Sequence, residues 1–275
     1  MPRSRVALVT GASSGIGAQT ALLLQAAGFT VYAVARRVER MQPLAGQGVR
    51  TLSMDVTDDS AVTAGLEKII AETGRIDVLV NNAGYGSYGS VEDVPIEEAR
   101  RQFEVNVFGL ARLIQLAVPH MRAQGSGRII NVSSIGGKIY EPLGGWYHAA
   151  KFAVEGLSDS LRIELRPFGI DVVIIEPGPI LTEWNAIARQ NMLQNSADTA
   201  YASQAQSVFR RLETADSPRM SSAPEVVARK IVAAATARNP RARYPVGKGA
   251  GTIVRARKVL PDRALDVVIS RAYQH

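Results

Sequence analysis

Apolar residues along this chain gather in two alternating kinds of run. RVALVT (5–10), TVYAVA (30–35), VRTLSM (49–54), DVLVN (77–81), RIINVS (128–133) and DVVIIE (171–176) are short and nearly continuous, as strands buried on both faces require. RARYPV (241–246) is a weaker seventh run. Between them, IGAQTALLLQAAG, DSAVTAGLEKIIAETG, IEEARRQFEVNVFGLARLIQLAVPHMRAQG and YHAAKFAVEGLSDSLRIELRPFG repeat leucine, isoleucine and alanine at spacings of three and four. That is the helical period, and several of these stretches end in Gly or Pro as helices do. Strand and helix in regular alternation predict an α/β fold, a doubly wound parallel sheet of about seven strands with right-handed crossovers and helices on both faces. Residues 183–222 break the rhythm, being polar with scattered bulky side chains and no strand pattern. They follow the carboxyl end of the sixth strand, where ligands bind in such sheets, and so are expected to form a lid; a surface insertion without a role is the alternative.

The 275 residues show no repeat and no low-complexity linker, which suits a single large domain. Residues 1–248 are expected to form that domain, with 249–275 as a basic C-terminal extension. Apolar residues at 46% and charged residues at 21% exclude a disordered chain. With no cysteine and only His120, His148 and His275, disulfides and thiolate chemistry are excluded and no metal site is expected. The net charge of +7 is confined to the tail: residues 1–236 hold 23 Lys/Arg against 23 Asp/Glu, and 237–275 hold nine against two. The apolar run Val6–Val9 is too short for a signal-peptide core, and no run nears the ~18 residues of a membrane span. A cytoplasmic protein is expected.

The first strand runs into a glycine-rich turn and then a helix, VALVTGASSGIGAQTALLLQAAG, with Gly11, Gly15 and Gly17 in the turn. Glycine lets the backbone approach a pyrophosphate, and the helix amino terminus offers unpaired N–H groups and partial positive charge. Ser13, Ser14 and Ile16 complete the candidate cradle. A plain tight turn would use similar residues, so the position between strand and helix carries the reading. Ala35 ends the second strand where NAD binders place an acid, and Arg36 and Arg37 follow it. An absent acid and two cations suit a 2′-phosphate, so NADP(H) is predicted over NAD(H).

GGWYHAAK (144–151) sets Tyr147 and Lys151 one helical turn apart. In this composition such a pair arises by chance about 0.17 times, and as an isolated pair it reads as an ordinary helix surface pair. Requiring a serine 13 residues earlier, as Ser134 stands in RIINVSSIGG, leaves about 0.01. A phenol titrates near ~10, and an ammonium at ~4 Å is worth ~4 kcal/mol at intermediate dielectric. Lys151 is therefore expected to pull Tyr147 toward working pH, with desolvation opposing it. His148 is expected to point elsewhere on the helix.

TGASSGIG (10–17), DV (55–56), NNAG (81–84), Asn106 in EVNVFG, Ser134 in VSSIGG, YHAAK (147–151) and PGPILT (177–182) occur in that order. On these motifs the chain from Arg5 to about Pro179 resembles the short-chain dehydrogenase/reductase family. Through KFAVEGLSDSLRIELRPFGIDVVIIEPGPI it is most similar to members acting on hydroxysteroids, retinoids and other lipophilic alcohols and ketones. The resemblance implies a Rossmann fold, residues 1–248 as a dinucleotide-binding catalytic domain, and an NADP(H)-dependent oxidoreductase that moves hydride between nicotinamide and a carbonyl or alcohol. It implies Tyr147 as general acid or base, Ser134 as donor to the substrate oxygen, and Asn106 as support for a water chain joining Lys151 to solvent. Lys151 would also contact the nicotinamide ribose. Asp55 and Val56 would lie by the adenine, Asn81, Asn82, Ala83 and Gly84 along the adenosine, and Pro177, Gly178 and Thr182 near the carboxamide. A homo-oligomer is expected.

Tyr85, Tyr88, Ile135, Tyr140 to Leu143, Trp184, Met192 and Leu193 are candidates for the substrate wall. They are largely apolar, which suits a small lipophilic alcohol or ketone; packing of the lid onto the body is the other reading. The tail alternates apolar and basic residues, as amphipathic helices that close the site, meet another subunit or rest peripherally on an anionic membrane would. The alternative function is a non-catalytic NADP(H)-sensing regulatory protein on the same fold, against which the intact Asn, Ser, Tyr and Lys set argues. No nucleic acid is expected as partner, because the body is neutral and carries no recognition motif.

Overall fold

The computed structural model describes residues 4–273. The first three residues of the expected domain and the last two of the expected extension, including His275, lie outside the described residues. Seven strands, β1 (Val6–Thr10), β2 (Thr30–Ala35), β3 (Arg50–Ser53), β4 (Val78–Asn81), β5 (Gly127–Val132), β6 (Ile170–Pro177) and β7 (Arg243–Val246), lie within two residues of the expected ends. They pair in parallel in the order β3-β2-β1-β4-β5-β6-β7. The helices are α1 (Gly15–Ala26), α2 (Gln42–Ala45), α3 (Asp59–Thr73), α4 (Ile96–Phe103), α5 (Gly109–Ala123), α6 (Gly145–Leu165), α7 (Trp184–Ser196), α8 (Ala202–Ala215), α9 (Pro224–Thr236), α10 (Ala250–Val259) and α11 (Asp262–Ala272).

Both faces of the sheet are buried, and successive residues of one strand serve opposite cores. Ala7 and Val9 of β1 pack with Ala21 and Leu24 of α1 and Val227 and Ile231 of α9. Val6 and Leu8 pack on the other face with Leu66 of α3, Leu113 of α5 and Val154 of α6. This is the doubly wound, single-domain α/β architecture that the continuous apolar runs predict. The chain winds outward from β1 to β3 and then crosses to β4 on the other side of β1. A crevice therefore opens between the loops after β1 and β4, the switch point at which such sheets bind ligands.

The long helical pattern over residues 96–125 is not one helix. α4 ends at Phe103, and a wider π turn, Glu104–Phe108, precedes α5. Such turns rotate side chains off the helical period and recur at functional sites; here the turn carries Asn106. Residues 183–222 form α7 and α8, and their base is pinned by Leu181 N–H donating to Ser222 O (2.9 Å) and Ser222 N–H to Pro179 O (3.0 Å). The C-terminal extension folds back on the body: Ala250 and Val254 of α10 pack with Ile135 and Ile139, and Tyr140 donates to Asp266 of α11 at 2.7 Å. No described helix is long and apolar enough to cross a membrane. Among the described residues, no group of three or more His, Asp or Glu is placed to hold a metal ion.

Candidate active site

A cleft of about 440 Å³ runs along the carboxyl edge of the sheet from β2 past β1, β4 and β5 to β6. At the switch point the loops after β1 and β4 are stapled together. Thr10 Oγ1 accepts from the N–H groups of Asn82 and Ala83, both at 3.0 Å, and Asn82 Nδ2 donates to Thr10 O and Gly11 O at 3.0 and 3.3 Å. Gly11 takes a φ of +63° and Gly15 of +54°, left-handed conformations that glycine adopts without strain. A Cβ on Gly17 would collide with the Gly11 carbonyl oxygen and lie 2.7 Å from Asn82 Nδ2, so the loop can pass over the helix end only without a side chain there. Ser14 caps α1 without spending its hydroxyl on the helix, and the first turn holds no acid. Free N–H groups and an unopposed dipole fit a pyrophosphate, and these residues are those that would hold one.

The cleft is lined by Gly11, Ser13, Ser14, Gly15 and Ile16 from this loop, by Arg36 and Arg37 after β2, and by Asp55 and Val56 after β3. Asn82, Ala83 and Gly84 after β4, and Pro177, Gly178 and Thr182 after β6, also line it. Gly17 and Asn106 stand one layer behind, outside the lining. Arg40, which the sequence pattern does not single out, reaches Glu183 Oε2 at 3.1 Å, with Arg37 at 3.8 Å from the same oxygen.

Ser134, Tyr147 and Lys151 meet at the centre. β5 delivers Ser134, whose Oγ accepts from Gly136 N–H at 3.0 Å; α6 places Tyr147 in its first turn and Lys151 one turn on. Lys151 Nζ donates to Val132 O at 3.0 Å and lies 6.0 Å from the Tyr147 ring centroid. Asn106 grips the backbone of Tyr85, with Oδ1 accepting from its N–H (3.0 Å) and Nδ2 donating to its carbonyl (2.8 Å). A Cβ on Gly84 would lie 3.0 Å from Asn106 Oδ1 and 3.7 Å from Lys151 Nζ, so the two side chains flank that glycine.

The protonation balance differs from the expected one. Burial pushes the Tyr147 phenol up to about 12, with a hydrogen bond from Ser134 pulling down and the charge of Glu141 pushing up. Lys151 is itself lowered to about 8 by burial, opposed by the charge of Glu155. Lys151 does not pull Tyr147 toward neutrality here, because desolvation of a ring enclosed by Trp184 (4.9 Å between centroids) and Tyr88 (6.0 Å) dominates, and the ammonium is turned to Val132 O. The phenol is held protonated.

Behind Lys151 lies a charged cluster. Glu155 and Glu176 are buried, with Lys138 Nζ at 2.7 Å from Glu155 and 3.9 Å from Glu176, and Arg243 Nε at 3.1 and 3.4 Å. Burial and the charge of Glu155 push Glu176 up to about 7, against the pull of Lys138 and Arg243. A carboxyl raised in the folded state binds its proton more tightly there than in the unfolded chain, so its contribution favours folding at low pH and is lost as pH rises through about 7. Glu176→Gln should therefore raise stability by about 2 kcal/mol, several degrees in Tm, near pH 8 and leave Tm near pH 4 unchanged. Thermal denaturation at the two pH values checks this; an equal shift at both would refute it.

At the substrate end, Tyr85, Tyr88, Ile135, Glu141 and Trp184 line the cleft, but Tyr140, Pro142, Leu143, Met192 and Leu193 do not. Tyr140 turns to Asp266, Leu143 and Met192 are packed inside the cluster beneath the cleft, and Leu193 faces outward at 41% exposure. Their places are taken by Ile139, Ile187, Leu212, Met220, Ile253 and Tyr273. No signal in the sequence marks these, since a helical period tells which face is buried but not against what. His148 also departs from expectation: it lines the cleft beside Tyr147, held by Nδ1 at 2.9 Å from Gly136 O.

Residues 5–193 match the sequence profile described as short chain dehydrogenase. The chain is 37% identical over 275 residues to an NADPH-dependent 3-dehydrocapnine reductase from Ornithobacterium rhinotracheale, covering 96% of this chain and 95% of that one. It is 44% identical over 179 residues to a 3-ketodihydrosphingosine reductase from Bacteroides thetaiotaomicron, covering 65% of each. The crystal structure of a short-chain dehydrogenase from Streptomyces avermitilis superposes with a TM-score of 0.81 at 33% identity, over 98% of this chain and 95% of that one.

Proposed function

The chain belongs to the short-chain dehydrogenase/reductase family of nicotinamide-dependent oxidoreductases, and on that footing we propose that it is an NADP(H)-linked reductase of lipophilic ketones. The observation that carries the reading is the meeting of Ser134, Tyr147 and Lys151 at the centre of one cleft, beside the glycine cradle and beneath an apolar wall. The glycine loop and the residues after β4 and β6 would hold the dinucleotide, which would supply the hydride for the carbonyl carbon. The residues of the chain manage the oxygen. Ser134 donates a hydrogen bond to it, stabilising the negative charge that develops. Tyr147, whose pKa of about 12 keeps it loaded at neutral pH, gives its proton to an alkoxide that is far more basic, so transfer runs downhill. Lys151, held by Val132 O, places positive charge on the same side. Asn106, hydrogen-bonded to the Tyr85 backbone, fixes the loop after β4 beside the Lys151 ammonium.

In the reduction direction the buried phenol enters the reaction already carrying the proton it must deliver. The wall of Trp184, Leu212, Met220 and Ile253 supports an apolar substrate of the steroid, retinoid or fatty type, and residues 183–222 act as its lid. Both curated relatives above are named as reductases, and one name carries NADPH dependence. Arg36 and Arg37, with Ala35 in place of an acid, are the residues that would take the 2′-phosphate. Replacing both arginines with alanine should lower kcat/KM for NADPH about 100-fold, the size of one or two hydrogen bonds to a charged group, and change that for NADH little. The test is initial rates of cofactor oxidation with a panel of long-chain ketones. Equal rates with NADH and NADPH in the wild type would overturn the cofactor assignment; NADPH binding without turnover of any ketone or alcohol would make the chain a nucleotide-sensing protein instead.

A further inference from the structure

Three carboxylates line the cleft: Asp55, Glu141 and Glu183. Asp55 accepts from Thr57 N–H and Oγ1 at 3.0 and 2.8 Å, and Glu183 is paired with Arg40 and Arg37. Glu141 has no ion-pair partner among the described residues. Its polar neighbours are hydroxyls, Tyr88 OH at 3.4 Å from Oε2 and that of Tyr273. Tyr88 is buried, and its ring stands 6.0 Å from that of Tyr147, so Glu141 occupies the proton donor's side of the substrate end. The remaining charged group on this wall, Arg211, is exposed, lies over the Tyr273 ring 5.8 Å from its centroid and hydrogen-bonds the same Tyr273 hydroxyl that neighbours Glu141, without pairing with Glu141 itself. It is turned to Tyr273 and is not among the charges that act on Tyr147.

A lone carboxylate at this place works against the reduction of a neutral ketone. Its charge makes Tyr147 a weaker acid, and it opposes the negative charge that gathers on the carbonyl oxygen as hydride arrives. A cation delivered with the substrate removes both costs, because an ammonium seated on Glu141 cancels its field at the phenol and gains a charge-assisted hydrogen bond. A neutral or anionic substrate is left facing a carboxylate without a direct ion-pair partner, which is how a site discriminates against the wrong partner.

We infer that the substrate is an amino ketone, with a protonated amine a few bonds from the reacting carbonyl seated on Glu141 and an apolar tail along Trp184, Ile187, Leu212 and Ile253. This inference rests on the ketone-reductase reading and deepens it. Glu141 then acts as the specificity-determining residue, while the apolar wall supplies affinity without telling one tail from another.

The test compares a long-chain 2-amino-3-ketone with the 3-ketone of equal length that lacks the amine. Wild type should favour the amino ketone in kcat/KM by about 10- to 100-fold, the size of one hydrogen bond to a charged group. In Glu141→Gln that ratio should fall to near one, mainly through a higher KM for the amino ketone, and Glu141→Asp should restore part of it. Binding without turnover is read in parallel from tryptophan fluorescence, titrating dodecylamine against dodecanol: wild type should prefer the amine and Glu141→Gln should not. An unchanged NADPH Kd reports that the variants are folded. Equal kcat/KM for the two ketones in wild type, or a preference that survives in Glu141→Gln, overturns the cation site and leaves the reductase reading standing. Glu141-dependent amine binding in a protein that reduces neither ketone supports the cation site and sinks the reductase reading.

Discussion

Tyr147→Phe is expected to lower kcat for ketone reduction by about three to four orders of magnitude and to leave the Kd for NADPH within about twofold of wild type. The split follows from where the hydroxyl stands. The ring packs against Trp184 and Tyr88, and phenylalanine keeps that packing, so the wall and the glycine cradle are undisturbed. What is lost is the one group that delivers a proton to the developing alkoxide, and with it the bond that Ser134 makes to the phenol. Stopped-flow or steady-state NADPH absorbance gives the rate, and NADPH fluorescence gives the affinity. Near wild-type turnover in this variant would remove Tyr147 from the reaction, and a joint collapse of binding and rate would mean that the ring, not the hydroxyl, was the essential part.

The second large effect is structural in origin. Gly17→Ala places a methyl group against the Gly11 carbonyl oxygen and 2.7 Å from Asn82 Nδ2. Neither is the free end of a flexible side chain: one is backbone, and the other is fixed by bonds to Thr10 O and Gly11 O. Relief requires the loop after β1 to lift from α1, which also unfastens the staple to β4. A loss of roughly 3 kcal/mol or more, about 6–12 °C in Tm, and a weakening of NADPH binding by about 100-fold are expected. Gly156→Ala is the matched control, since it lies on the exposed face of α6 with nothing within 4 Å of its Cβ. There alanine should stabilise the helix by about 0.5–1 kcal/mol. Opposite signs in calorimetry separate packing of the cradle from a general intolerance of the substitution.

The parts of the molecule that sequence makes legible are those where one local pattern has one structural solution. Strands such as VALVT and DVVIIE are apolar at every position because both faces are covered, and that forces the parallel sheet. The cradle is legible because a glycine run between strand and helix has few other uses. The π turn at Asn106 is not, since apolar spacing runs through it unchanged while the backbone widens by one residue. The substrate wall is hidden for a different reason. Met192 and Leu212 sit on neighbouring helices in similar apolar company, yet Met192 is packed inside and Leu212 lines the cleft, a distinction set by how α7 and α8 lean rather than by either residue. His148 is hidden because helical period alone does not show that the cleft reaches around to the residue beside Tyr147, and the state of the Tyr147 phenol because the enclosing Trp184 ring is distant in sequence.

The cleft is assembled from two separate stretches of chain. The glycine loop, Arg36 and Arg37, Asn82 to Gly84, Ser134, Tyr147, Lys151 and Thr182 all precede α7, whereas Ile187, Leu212, Met220, Ile253 and Tyr273 come after its start. The reacting groups thus come from the first stretch alone, while the apolar wall is written in both. Substitutions in the last ~90 residues can reshape the apolar part of the wall without touching the reacting groups, as variable surface segments on a rigid scaffold do, while Glu141 stays with the first stretch. A ribosome, likewise, finishes the nucleotide loops long before Tyr273 arrives to complete the wall.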